Sequence, residues 1–544
     1  MAGVRQAPSG RCLPSNNRHF MDSTRIKIIL IGFFATFIAI YLGVSAATAH
    51  SEAILWVLGV SVLVICLLLG KRIWLLIPLL GAVETTVRLP GLPTSLVLGQ
   101  VLVVGFTVLL ILMRRLPFRL RMTELEWWAL LIAVMVVQVY LRHPVGMNFF
   151  GGSSVGGKPY LLFMINLSAA LVLFGTLVPD RELWTALRLS IYGGLANLAI
   201  SLLSAVFPTM GYWTTSTYAN PGEQGNSIDA EAVDRTQATR VYFLLIFGRN
   251  LSLWISSFIS PLRACFHPGW GVLVLMALLA GGLSGFRNGL AMVVLTFFVG
   301  VCYRGGGFQV MVSLLGGGLM IALLSVVNLV SPLPPNVQRT LSFLPGTWED
   351  RYVTDAKNST DWRVDMWKEA LLTDRWIHNK WLGDGLGFTM EELKWQASFQ
   401  EQQMTGRGRS GLLIQQEAFM ISGSYHSGPV QTVRTIGYVG LMIMLVFQIR
   451  LAIHAHRQIM RCRGTSWYPV ALFFGIPLVW NPFFFAFVFG EFSAQVTILL
   501  MGAAMMRMLE NNLPLPAWVP RPRYAAVGVP TRFKDALVTQ RVAR

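Results

Sequence analysis

Residues 94–113, Thr-Ser-Leu-Val-Leu-Gly-Gln-Val-Leu-Val-Val-Gly-Phe-Thr-Val-Leu-Leu-Ile-Leu-Met, carry no charged side chain, and Arg114 and Arg115 follow at once. A helix of this length crosses the ~30 Å hydrocarbon core of a bilayer, and the arginine pair marks where water returns. Similar apolar runs stand at 26–48, 53–69, 73–88, 127–141, 160–178, 186–207, 241–260, 270–285, 288–303, 309–330, 429–449, 468–489 and 491–508. No alternation of ten-residue strands is present, so helices rather than a barrel must satisfy the backbone in hydrocarbon. Over 544 residues the chain is 54% apolar and 13% charged, which excludes a soluble globular class. The expected fold is an all-α polytopic membrane protein of about 12–14 transmembrane helices.

The formal charge of +18 would suit nucleic acid if it were gathered on one module, but the cations fall between apolar runs. That pattern is topological, because Lys and Arg in short loops mark the cytoplasmic side. Arg5, Arg11, Arg18, Arg25 and Lys27, then Lys71 and Arg72, Arg114, Arg115, Arg119 and Arg121, Arg181 and Arg188, Arg450, Arg457, Arg461 and Arg463 all fall on one side under simple alternation. Both termini are therefore expected in the cytoplasm. Residues 1–25 form a basic N-terminus, 26–330 a helix bundle, 331–428 a large external loop with a helical cap, 429–508 further spans and 509–544 a basic tail. Ala47-Thr48-Ala49 resembles a signal-peptidase site, yet the run before it exceeds the ~7–15 residues of a signal core, so an uncleaved first span is expected. The five cysteines are scattered without a C-x-x-C pair, as suits a protein that needs no disulfides.

Three segments remain on the far side, at 142–159, 208–240 and 331–428. The last contains a helical-looking stretch from Asp361 to Phe399, with Trp362, Met366, Trp367, Ala370 and Leu371 near helical spacing. Those tryptophans suit either a packed cap or the headgroup layer. Gly152-Ser-Ser-Val-Gly-Gly-Lys158 has P-loop spacing, but Pro159 stands where a Ser or Thr would ligate Mg²⁺ and no soluble strand precedes it, so a flexible turn is the better reading. Glu84, Arg88, Arg249 and Arg287 fall inside or at the edges of spans, where an ionisable group is costly unless paired or wet. The far side also offers Arg339, Arg363, the Gly383-Asp-Gly385-Leu-Gly387 run and His426, which precedes a span. Arginine suits a diphosphate clamp and histidine suits proton transfer near neutral pH.

In their order, Ser284 before Arg287, Arg363 with Trp367, Gly383/Gly385/Gly387, and His426 followed by Gly437 and Gly440, these residues resemble the O-antigen ligase and O-antigen polymerase superfamily over roughly 270–450. Ser427 stands where the family often has Asn, and Thr435, beside Arg434, stands where it often has an acid. The resemblance implies a GT-C-like membrane glycosyltransferase in a bacterial inner membrane. Its donor is expected to be a glycan on undecaprenyl diphosphate, and its acceptor a glycan or lipid, with membrane lipids around it and no nucleic acid. Under that resemblance His426, Arg287 and Arg363 are the expected catalytic residues. Arg287, Arg363, Arg339, Arg434, Lys158 and Arg249 are the expected contacts to diphosphate or substrate. No metal or other cofactor is expected, since the large loop has no D-x-D and its Asp350, Asp355, Asp361 and Asp365 are dispersed. Two other readings stand beside it: a lipid-linked glycan transporter or flippase with Glu84, Arg88 and Arg249 along its path, and an enzyme of the same superfamily that glycosylates protein.

Overall fold

The computed structural model describes residues 62, 64–87, 94–116, 118–146, 156–207, 218–219, 241–387, 394, 398, 419–420 and 423–513. The expected span at 26–48, most of that at 53–69, Arg88, the Gly152–Val155 part of the glycine-rich turn and the basic tail lie outside them. The described chain is mostly helical. Its helices are α1 (Val64–Val83), α2 (Ser95–Leu112), α3 (Glu124–Arg142), α4 (Lys158–Gly175), α5 (Asp180–Val206), α6 (Tyr242–Phe258), α7 (Pro261–Cys265), α8 (Pro268–Leu283), α9 (Arg287–Val330), α10 (Pro335–Leu341), α11 (Asp350–Leu372), α12 (Gly428–Cys462), α13 (Tyr468–Phe487) and α14 (Phe492–Asn512). Among the described residues the strands are two residues each, Thr86–Val87 paired antiparallel with Tyr218–Ala219. Among the described residues nine helices, α1 to α5, α9 and α12 to α14, are long and apolar enough to cross a membrane. Large apolar side chains stay open on their outer faces, Leu112 75% exposed and Leu141 74% exposed; such a surface is a liability in water and the normal one against lipid.

One expectation holds and one shifts. Lys71 and Arg72, read as a break between two spans, directly follow Gly70, whose left-handed backbone (φ 51°) interrupts the helical run at the head of a 3-10 stretch, Gly70–Leu75. Arg72 turns outward to Glu182 at 3.2 Å, and Trp74 Nε1 donates to the same carboxylate at 2.8 Å. The helix expected at 361–399 starts earlier, at Asp350, and ends at Leu372, with turns over 373–387; most of 388–399 lies outside the described residues. The apolar face read from Trp362, Met366, Trp367, Ala370 and Leu371 does pack, onto Ile377, Met420, Tyr425, Val430 and Val433.

The 44 residues of α9 are interrupted at Gly306 (φ 75°, ψ 177°). A straight helix of that length would hold its ends ~65 Å apart. Both ends nevertheless reach α10: Arg287 Nε donates to the Arg339 carbonyl at 3.2 Å, and Asn328 Nδ2 lies 3.4 Å from Gln338 Oε1. The chain must therefore turn back at Gly306, so α9 is two apolar arms, matching the runs read at 288–303 and 309–330. Only glycine takes that φ/ψ combination without strain.

Hydrogen bonds sort the loops to two ends. At one, Arg119 N donates to the Gly175 carbonyl, Arg450 pairs with Glu124 and the buried Arg507 pairs with the fully buried Glu126. Glu126 also accepts from Thr123 N at 2.8 Å, which caps α3. At the other end, Val241 N donates to the Ser284 carbonyl and Arg142 reaches the Leu382 and Gly383 carbonyls. The cation-rich loops around Arg72, Arg119, Arg450 and Arg507 meet at the first end; Arg287, Arg339, Arg363 and His426 belong to the second.

Candidate active site

Helix α11 organises the second end. Asp355, in its second turn, accepts from Arg287 Nη2 at 3.3 Å and from Arg339 Nε at 3.4 Å, so one carboxylate holds two of the expected arginines. The Arg339 side chain is 8% exposed, whereas Arg287 and Asp355 keep about a quarter of theirs open (23% and 25%). The arginine pair is thus braced from within and open on one side. A carboxylate between two guanidiniums fixes both forks, and their exposed faces suit an exogenous anion.

Seven residues further along α11, ~10 Å by helical rise, the Trp362 ring stands 6.3 Å from the His426 imidazole, edge to face. Phe419 at 4.8 Å and Phe489 at 6.0 Å complete an aromatic collar round that ring. Trp367 Nε1 donates to the Tyr425 carbonyl at 2.7 Å and thereby pins the residue before the histidine to the same helix. His426 itself has φ 51°, a left-handed conformation that costs a non-glycine residue energy and persists where its surroundings over-determine it. Arg363, half-buried, follows Trp362 directly. One helix therefore carries the partner of Arg287 and Arg339, then Arg363, then the packing that orients His426.

The remaining expected contacts sit elsewhere. Arg249 lies on α6 about two turns below Tyr242 and is ion-paired with Glu84, which caps α1 in a left-handed conformation (φ 46°). Tyr242 meets Phe286, the neighbour of Arg287, edge to face at 6.2 Å. The Glu84–Arg249 pair is thus deeper in the bundle than Arg287. Lys158 is buried (5% exposed) at the start of α4. Two residues on, the Tyr160 hydroxyl accepts from Leu386 N at 3.1 Å, which puts α4 against the glycine-rich run. Arg434 is buried, with Nη1 donating to the Gly385 carbonyl at 3.3 Å.

The glycine-rich run has a structural task that its sequence does not announce. Helix α12 breaks at Gly437 (φ 75°, ψ −179°), which strips hydrogen bonds from residues around the break. Residues 380–385 restore them. Asp384 N and Gly385 N donate to the Arg434 and Thr435 carbonyls at 2.6 and 3.2 Å, while Tyr438 N and Val439 N donate to the Lys380 and Trp381 carbonyls at 2.8 and 3.2 Å. A Cβ on Gly383 would lie 2.5 Å from the Thr435 carbonyl oxygen, and one on Gly437 2.1 Å from that of Trp381. Both glycines are there for backbone approach, and Asp384 holds the turn by accepting from His378 N and Asn379 N at 2.8 Å each.

Sequence reasoning missed Arg142, which clamps this run from α3, and gave Asp355 no role. Their partners lie 240 and 68 positions away, beyond the reach of any local pattern. Among the described residues no group of three His, Cys, Asp or Glu side chains is placed to hold a metal ion. Fold and site together define a multi-pass helical membrane protein with a cationic, histidine-bearing site at the end opposite its basic loops. No family model matches the chain, and no curated protein matches it significantly.

Proposed function

We propose that the protein is a membrane glycosyltransferase that takes a glycan from an undecaprenyl-diphosphate carrier at the outer face of a bacterial inner membrane, as an O-antigen or exopolysaccharide ligase or polymerase does. The observation that carries this reading is the convergence of Arg287, Arg339, Arg363 and His426 on the single helix α11. The sugar's anomeric carbon–oxygen bond to the diphosphate breaks, the electron pair leaves with the diphosphate, and the acceptor hydroxyl forms the new bond. His426 takes the acceptor's proton as general base, a contribution of ~10²–10⁴ in rate. Arg287 and Arg363 face the departing diphosphate and stabilise the charge it gains, Arg339 and Asp355 holding Arg287 in place; such preorganised charge is worth most away from water. A diphosphate on lipid is already an activated leaving group, so the donor supplies the energy.

Transport is the second reading, and it draws on the Glu84–Arg249 pair inside the bundle together with the broken helix α12. The test is complementation of a deletion strain with wild type, His426→Ala, Arg287→Ala and Arg363→Ala at matched membrane levels, reading surface glycan by gel and mass. Loss of polymeric or attached glycan in all three variants supports glycosyl transfer, and glycan length with attachment point separates polymerase, ligase and protein glycosylase. Full complementation by all three removes the assigned site and favours transport.

A further inference from the structure

At the opposite end from His426, where the basic loops meet, a cavity of about 230 Å³ is lined by Phe258, Ile259, Ser260, Arg263, Tyr303, Arg304, Arg463 and Tyr468. Among the described residues three guanidiniums line it and no carboxylate does. Among the described residues none of Arg263, Arg304 and Arg463 has an acidic partner, whereas Arg450 and Arg507 at the same end each have one. A triply cationic hollow carries an uncompensated field, and an anion is what lowers its energy.

The hollow is built rather than accidental. Arg304 Nε donates to the Ser256 carbonyl at 3.0 Å and Arg304 Nη2 donates to that of Ser257, so the guanidinium caps the open carbonyl end of α6. Its plane lies over the Tyr468 ring, 4.9 Å from the centroid. The Tyr468 hydroxyl in turn donates to the Tyr303 carbonyl at 2.7 Å, and the Tyr303 hydroxyl is 2.9 Å from His456 Nδ1. Arg304 is therefore held on three sides with its charge unneutralised, while Arg263 and Arg463, both exposed, stand at the rim. The size suits a phosphate with a small substituent, being below the ~300–1,000 Å³ of sites for drug-sized ligands.

We propose that this cavity binds the phosphate of an anionic phospholipid headgroup from the cytoplasmic leaflet. Two observations favour a lipid over a free phosphate ion. Phe266 and Phe308, 83% and 74% exposed, stand just beyond Arg263 and Arg304 in sequence and offer apolar surface to acyl chains. The cavity is also at the basic end, which alternation assigns to the leaflet whose anionic lipids draw such sites. The inference is independent of the glycosyl-transfer reading.

The test uses the full-length protein in neutral detergent, with native mass spectrometry against phosphatidylglycerol, phosphatidylcholine of the same chains, and inorganic phosphate. Wild type is expected to retain phosphatidylglycerol in preference to phosphatidylcholine. The R263Q/R463Q variant, which leaves the Arg304 cap intact, is expected to bind phosphatidylglycerol about tenfold more weakly, the loss that about 1.4 kcal/mol of charge-assisted bonding represents. R114Q/R115Q, a pair at the same end but outside the cavity, is expected to bind as wild type does. Unchanged retention in R263Q/R463Q, an equal loss in R114Q/R115Q, or displacement of the lipid by millimolar phosphate would each overturn the proposal, the last by assigning the cavity to a free anion.

Discussion

Gly437→Ala tests the most specific packing claim, that residues 380–385 splice a broken transmembrane helix. An added Cβ would lie 2.1 Å from the Trp381 carbonyl oxygen and 2.4 Å from Leu382 N, at a backbone φ of 75°. The conformation alone costs a non-glycine residue ~1–3 kcal/mol. The clash is with backbone, so relief means moving the spliced segment and weakening its four hydrogen bonds to α12, each worth ~1 kcal/mol net. If all four are lost the sum is roughly 5–7 kcal/mol, in the range reserved for specific mechanisms. Reversible unfolding in mixed micelles measures it, with Gly316→Ala as control. Gly316 is helical with nothing within 4 Å of a new Cβ, so alanine there is expected to be neutral or to stabilise by ~0.5–1 kcal/mol. A Gly437→Ala variant within ~1 kcal/mol of wild type would refute the splice as a source of stability.

Other perturbations follow from the ion pairs and the thiols. Glu84→Gln leaves the Arg249 charge in the bundle without its partner and is expected to cost ~3–5 kcal/mol, reduced for the 29% exposure of that side chain, while E84Q/R249Q recovers most of it. Asp355→Asn removes the carboxylate shared by Arg287 and Arg339; glycan transfer is expected to fall at least tenfold with His426 chemistry intact, visible as an unchanged pH profile at lower rate. Partial shielding from water pushes the Cys265 thiol up from its usual range, although the residue stays accessible to reagent, so its thiolate is scarce at neutral pH. In a variant with the other four cysteines replaced by alanine, an impermeant maleimide is expected to label Cys265 slowly, faster as pH rises, and from the cytoplasmic face alone. Labelling from outside would invert the topology.

The spans at α2 to α5, α9 and α12 to α14 were legible because hydrocarbon thickness imposes one length and one composition on every crossing segment, whereas the runs read at 241–260 and 270–285 form the shorter helices α6 and α8, which are not among the nine. The reversal at Gly306 was legible too, since Arg304-Gly-Gly-Gly307 interrupts the apolar run. The break at Lys71-Arg72 was legible because a glycine free to turn left-handed, Gly70, precedes the two cations. The start of α11 was missed because residues 350–360 are polar and carry little apolar period. The site residues were named from their order along the chain, but their arrangement was not readable. Asp355 is one of several loop aspartates until the fold sets it between Arg287 and Arg339, and the run Gly383–Gly387 is a flexible loop until Gly437 breaks the helix beside it.

The central claim is tested most directly by purified protein in nanodiscs with an undecaprenyl-diphosphate-linked glycan and a candidate acceptor. Release of undecaprenyl diphosphate in step with glycan transfer, falling ~10²-fold or more in His426→Ala and Arg287→Ala, is the predicted result. An intact carrier whose glycan instead crosses the bilayer, with the same variants unaffected, would contradict it.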